Sequence, residues 1–316
     1  MTMLMTNLMT TIRTGLAAIS KHLGPPYAKL RALVRKPGFQ RGAFAVAVIL
    51  FVGGLWFSIK ARPDLLEQLH PGRFLTIVFI FSPLILGLNA AIFRSIAEIG
   101  NVRFTWAEAI KLTVLSSALN HLPAPGGPVL RIAAMRELGG DIVTPSALTF
   151  GSALVWFGAT FLFAGGIGFA IAPGLGAACI AAGCASLVAG SFFCWRVRRK
   201  FEDAASIFLM SAAMVVIYAL TLWVGFGAFN APVAFSEAGV VSGAGVIGAA
   251  ASFLPAGIGA REAAGAFLAS RINVDPFTAF AATALVQIAM MILLAIAAAC
   301  FSVTGNFRAR PEPQKP

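Results

Sequence analysis

Six stretches of this chain, at about 42–59, 74–93, 146–171, 174–195, 204–229 and 277–304, run for roughly 20 residues or more without a charged side chain. A bilayer core about 30 Å thick asks for such a segment, because a helix rises ~1.5 Å per residue and must satisfy its backbone polar groups internally. None of the six shows the polar residue at every second position that marks a membrane β-barrel. Composition agrees: 59% of the 316 residues are hydrophobic, 11% are charged and the mean hydropathy is +0.86, whereas soluble domains carry about 25% charge. The expected fold class is an all-α polytopic membrane protein.

The net charge of +12 is distributed as a topological signal. Residues 1–41 hold Arg13, Lys21, Lys29, Arg31, Arg35, Lys36 and Arg41 and no acid. Positive residues near span ends stay on the cytoplasmic side, so the N-terminus is expected inside. The first continuous apolar stretch begins only after residue 42, so no signal peptide is expected. Leu4, Leu8, Ile12, Leu16, Ile19 and Leu23 recur at helical spacing. The leader therefore reads either as an amphipathic helix lying in the membrane plane or as a loosely ordered basic tail. Nucleic-acid binding is not expected, since only Tyr27 and Phe39 supply aromatic rings among these charges.

Two further apolar segments are too short to cross. One, about 107–122, ends in "NHLPAPGGP" and is followed by the charged helix "VLRIAAMREL" at 129–138; the other, about 237–253, ends in "LPAGIG" and is followed by a charged helix at 260–271. Each pair is expected to dip into the membrane and return on the side it entered, as a re-entrant hairpin. With the hairpins counted this way, Arg196, Arg198, Arg199 and Lys200 fall on the cytoplasmic side together with both termini, as the positive-inside rule asks. Counted as full spans, the hairpins would put that cluster outside.

The two breaks resemble one another. "ALNHLPAPGGPVLRIAA" from 118 and "AASFLPAGIGAREAAGA" from 250 share Leu-Pro-Ala, then glycines, then an arginine. The expected architecture is six full spans plus two hairpins, with halves at about 74–171 and 204–304 related as inverted repeats. They form a single membrane domain at 42–304, between the basic segment 1–41 and a cytoplasmic tail at 305–316. Inverted repeats with broken helices occur in transporters, whose irregular backbone must face protein or a wet cavity.

The expected lipid-binding set is Asn120, His121, Pro123, Gly126, Gly127 and Arg131 from the first break, and Ser252, Pro255, Gly257, Gly259, Arg261 and Glu262 from the second. Helix N-termini and arginines attract anions. Ionisable groups inside a membrane usually pair or serve a pathway, so Glu262 is expected to hold Arg261 or exchange a proton. The competing reading has Arg131, Arg136, Arg261 and Glu262 snorkelling to the headgroups, with the glycines serving only close packing. Glu108 and Glu237 read as helix-start acids, and Cys179, Cys184, Cys194 and Cys300 as small core residues. His22, His70 and His121 are scattered, and no nucleotide, hydrolase or metal motif is present, so no cofactor or metal is expected.

At the breaks the chain resembles the lysylphosphatidylglycerol synthetase transmembrane, or flippase-like, family. "LPAPGGPVLRIAAMRELG" at 122–139 is similar to its first motif and "FLPAGIGAREAA" at 253–264 to its second, and the resemblance covers 42–304. It implies a multi-pass protein of the bacterial cytoplasmic membrane that binds or moves polar lipids. The motifs map onto Pro123, Gly126, Gly127 and Arg131, and onto Pro255, Gly257, Gly259 and Glu262. In the family an acidic residue commonly follows the glycine of the first motif, where this chain has Gly127-Pro128, which points towards a hopanoid-associated branch. Only "NFRARPEPQKP" follows the last span, too little for the soluble aminoacyl-transfer domain, so synthetase activity is not expected. The expected function is a lipid translocase or lipid-binding transporter acting on a polar, anionic or hopanoid lipid, as a homo-oligomer or with lipid-synthesis partners. The alternatives are an intramembrane enzyme of lipid or isoprenoid metabolism, or a noncatalytic scaffold of a lipid-synthesis complex.

Overall fold

A computed structural model describes residues 37–121, 126–138, 143–198, 201–251 and 257–303. The basic leader, the C-terminal tail, and Pro123, Ser252 and Pro255 of the two breaks lie outside the described residues. Every regular element described is a helix: α1 Pro37–Ala61, α2 Asp64–Glu67, α3 Pro71–Ile99, α4 Trp106–Leu119, α5 Gly126–Glu137, α6 Val143–Ile171, α7 Pro173–Arg198, α8 Phe201–Ala228, α9 Phe235–Ser242, α10 Ala244–Ala250, α11 Ala260–Ser270 and α12 Pro276–Val303.

Five of them contain stretches long and apolar enough to cross a membrane: Pro71–Ile99, Thr144–Ile171, Pro173–Trp195, Ala205–Ala228 and Pro276–Phe301, of 29, 28, 23, 24 and 26 residues. The sixth expected span lies in α1, 25 residues long, whose apolar part Val48–Ala61 is shorter. The fold is that of a polytopic α-helical membrane protein.

The helix ends follow local chemistry. Asp275 precedes Pro276 and accepts from the Thr278 N–H at 2.9 Å, which starts α12. Arg62 donates to both carboxylate oxygens of Asp64, at 3.1 and 2.9 Å, and reaches Asp275 at 3.4 Å, so the loop after α1 is tied to the head of α12. The hydrogen bond from Arg62 holds the Asp64 carboxyl below its ordinary range. Inside α3, Ile77–Phe81 form a π turn in which the Ser82 N–H reaches back to the Ile77 carbonyl. Pro83, one residue on, has no N–H and would crowd the carbonyl four residues earlier, and the widened turn relieves that.

The two halves repeat these details. Asn101 after α3 and Asn230 after α8 both take a positive φ, 59° and 51°, and close their helices. Glu108 then accepts from the Thr105 N–H at 2.9 Å at the start of α4, and Glu237 from the Ala234 N–H at 2.7 Å at the start of α9. Both glutamates are helix-start acids. In each half the first arm packs on the preceding span and the second arm on the following one: α4 on α3 and α5 on α6, then α9 on α8 and α11 on α12.

Two expectations about the arms are corrected. The arm expected as one helix over 237–253 is broken at Gly243, where Ser242 Oγ donates back to the Gly239 carbonyl at 2.6 Å and the Gly243 N–H bonds three residues back, to Val240. Back-bonding of this kind competes with the α-helical pattern. The second arm of the first hairpin begins at Gly126 rather than 129, since Pro128 sits in the first turn, where helix N–H groups lack partners anyway. The cysteines divide: Cys194 is buried and Cys179 partly so, while Cys184 and Cys300 lie on exposed helix faces.

Helices α6 and α7 are joined through Ala172 alone and pack along a glycine seam. Gly151, Gly158 and Gly165 meet Gly190, Gly183 and Gly176, and a Cβ built on Gly151, Gly158 or Gly165 would come within 3.2, 2.9 or 3.0 Å of the facing carbonyl oxygen. The seven-residue spacing keeps the glycines on one side of each helix, and close backbone approach is a main way membrane helices associate. Gly183→Leu is expected to lower stability by about 1–3 kcal/mol through overpacking. Gly166→Ala, with no neighbour within 4 Å of its Cβ, is expected to leave the melting temperature in detergent unchanged or raised.

Candidate functional site

The first break folds back tightly. The Asn120 side-chain oxygen accepts from the Gly127 N–H at 3.0 Å, and a Cβ on Gly127 would lie 2.7 Å from the Ser116 carbonyl and one on Gly126 would lie 2.9 Å from Leu119 Cβ. This approach carries Arg131 back to the first arm. Its Nε donates to Ser116 Oγ at 3.1 Å, and an Nη donates to the Asn89 side-chain oxygen of α3 at 2.9 Å. Ser116 gives its own proton to the Thr113 carbonyl at 3.0 Å, leaving its lone pairs to the guanidinium. The guanidinium also lies over the Phe93 ring, 5.3 Å from its centroid.

The second break is built on the same plan with other residues. Gly257 and Gly259 take φ of +65° and +83°, where side chains with a Cβ are strained. A Cβ on Gly257 would lie 2.2 Å from the Gly248 carbonyl oxygen, so backbone meets backbone. Gly248 in turn lies against Arg261, with a built Cβ 2.7 Å from that of the arginine. Gly248 and Ser116, which meet the two arginines, each stand seven residues before their Leu-Pro-Ala proline. Arg261 donates through Nη1 to the Gln287 side-chain oxygen of α12 at 2.6 Å. Each arginine is thus met by a carboxamide oxygen from a neighbouring span.

The expectation that Glu262 holds Arg261 is corrected. Glu262 is fully buried, and one carboxylate oxygen accepts from the Gly259 N–H at 2.6 Å, capping α11. No salt bridge joins it to Arg261 among the described residues, although the two charges lie close enough to interact. Its other oxygen and the Arg261 Nε are buried without hydrogen-bond partners among the described residues, and the buried Tyr218 hydroxyl lies beside Arg261. Tyr218, on α8, interacts electrostatically with both Arg261 and Glu262.

The two breaks are also joined. His121, at the end of the first arm, donates from Nδ1 to the Ser117 carbonyl at 2.9 Å, and its Nε2 lies 3.1 Å from the Gln287 amide nitrogen. Gln287 therefore touches His121 of one hairpin and Arg261 of the other. Arg131, Arg261 and Glu262 each turn at least one polar atom onto protein, and Arg136 is exposed. Asn89, Ser116, Tyr218, Gly248 and Gln287 were not singled out from the sequence. The available signal was a lone polar side chain within an apolar run, such as Asn89, Tyr218 or Gln287.

Among the described residues no three His, Cys, Asp or Glu side chains lie together as metal ligands would. Long apolar helices around two half-buried arginines and a buried carboxylate define a polytopic membrane protein with polar side chains among its helices. The chain belongs to the lysylphosphatidylglycerol synthase TM region family, whose model matches residues 43–298. That membership makes it a membrane protein of lipid metabolism or transport. No curated protein matches the chain.

Proposed function

We propose that this chain is a lipid translocase or lipid-binding transporter, in which the two breaks are re-entrant hairpins entering from opposite faces and a polar headgroup lodges between them while its tails stay in the bilayer. The observation that carries this reading is the polar line from His121 through Gln287 to Arg261, which brings the two breaks to one place on α12. Arg131 and Arg261 bond to amide oxygens rather than to carboxylates among the described residues. A guanidinium has five N–H donors in a fork suited to phosphate oxygens, and those not engaged by Asn89, Ser116 and Gln287 are available to a headgroup. The family's link to lipids supports the same reading.

Leaflet-resolved movement of labelled lipids in proteoliposomes tests it, with a panel of anionic and zwitterionic phospholipids and a hopanoid-type amphiphile. Wild type is expected to move at least one of them above protein-free vesicles, and Arg261→Ala to lose most of that rate. No movement of any polar lipid by folded wild-type protein would retire the translocase reading.

A further inference from the structure

Gln287 stands 4% exposed in the middle of α12, and its two amide ends reach different hairpins. The bonding roles follow by elimination. Arg261 can only donate, so the amide oxygen accepts there and the amide NH2 faces His121. His121 Nε2 must then accept, and Nδ1 carries the proton it gives to the Ser117 carbonyl. Only neutral His121 with its proton on Nδ1 completes the line.

An imidazolium would present an N–H to the amide NH2. Turning the amide round to offer its oxygen to His121 would set its NH2 against Arg261 instead, so neither orientation keeps both bonds. Charge acts in the same direction. Arg261 of α11 is the charged group that reaches His121, while Arg131 of α5 is turned to Ser116 and Asn89. A proton on His121 therefore adds a second positive charge beside Arg261.

We propose that Gln287 is the positioning residue that ties the two hairpins together, and that the tie holds only while His121 is neutral, so proton uptake at His121 releases one hairpin from the other. Its place in a headgroup path rests on the translocase reading; the bonding pattern does not.

The test uses full-length protein labelled with 15N-histidine in liposomes, with signals of His121 assigned by comparison with His121→Asn. Near pH 8, wild-type His121 is expected to show a protonated Nδ1 and a bare Nε2. Gln287→Leu removes the donor to Nε2, and His121 is expected to keep its proton on Nδ1 through Ser117 while its Nε2 signal moves to that of a nitrogen without a hydrogen bond. Gln287→Glu offers a carboxylate that accepts from both Arg261 and an Nε2–H, and is expected to hold His121 protonated on both nitrogens where wild type is protonated on one. A residue that merely filled space would not produce opposite signatures in the two variants. A wild-type proton on Nε2, or identical spectra from wild type and Gln287→Leu, would overturn the proposal. If the expected pattern is found while vesicles show no lipid movement, the tie stands and the translocase reading falls.

Discussion

Gly257→Val is expected to remove most folded protein from the membrane. Gly257 holds φ of +65°, and a Cβ there would lie 2.2 Å from the Gly248 carbonyl oxygen and 2.6 Å from its carbon. Those neighbours are backbone and cannot swing aside. A β-branched residue forced into the left-handed region costs about 1–3 kcal/mol, and overpacking against a rigid neighbour adds about 1–3 kcal/mol. Together they approach the whole stability of many proteins, about 5–15 kcal/mol. The measurement is the yield of monodisperse protein after detergent extraction, and its melting temperature. Ala263→Val, on an exposed face of α11 just after the break, is the control and is expected to behave as wild type. If Gly257→Val matched wild type in both measures, the close approach of α10 to the second break would be wrong.

The place of that close approach was legible in the sequence because Pro, paired glycines and an arginine are poor company inside an apolar run. Hydropathy placed the five long spans, although α3 runs beyond the expected 74–93, through Arg94 and Glu98 to Ile99. What the letters did not show was how the arginines are held. Arg131 and Arg261 look like candidates for acidic partners, and Glu262 is adjacent to one of them. A neighbour in sequence on a helix points some 100° away around the axis, so Glu262 turns back to cap Gly259 while Arg261 reaches across to Gln287.

Gln287 and Asn89 are single amides in apolar spans 26 and 42 positions from the arginines they hold. No local pattern links such residues, and only packing brings them together. The break at Gly243 was hidden for a different reason. Fifteen residues separate Glu108 from Pro123 (123 − 108) and eighteen separate Glu237 from Pro255 (255 − 237). The longer second arm is the one that departs from a single helix, at Ser242-Gly243.

Glu262 offers the sharpest separation of folding from function, because its two oxygens are engaged differently. One caps the Gly259 N–H at 2.6 Å, and the other is buried with no partner among the described residues. Glu262→Gln keeps an oxygen for the cap and preserves shape, so it is expected to stay within about 1 kcal/mol of wild type in stability. Glu262→Ala strands a buried N–H, which costs about 1–3 kcal/mol, and also forfeits the favourable placement of a carboxylate at a helix start, about 0.3–1 kcal/mol. The melting temperature should therefore fall clearly for Ala and little for Gln. Transport should respond otherwise. Without the carboxylate, Arg261 keeps its positive charge and loses the nearest negative one, so an anionic headgroup is held more tightly and released more slowly. An imbalance of about 1.4 kcal/mol is tenfold in an equilibrium, and lipid movement by Glu262→Gln is expected to drop at least that far in the same vesicles. Unchanged movement in a stable Glu262→Gln protein would reduce Glu262 to a helix cap.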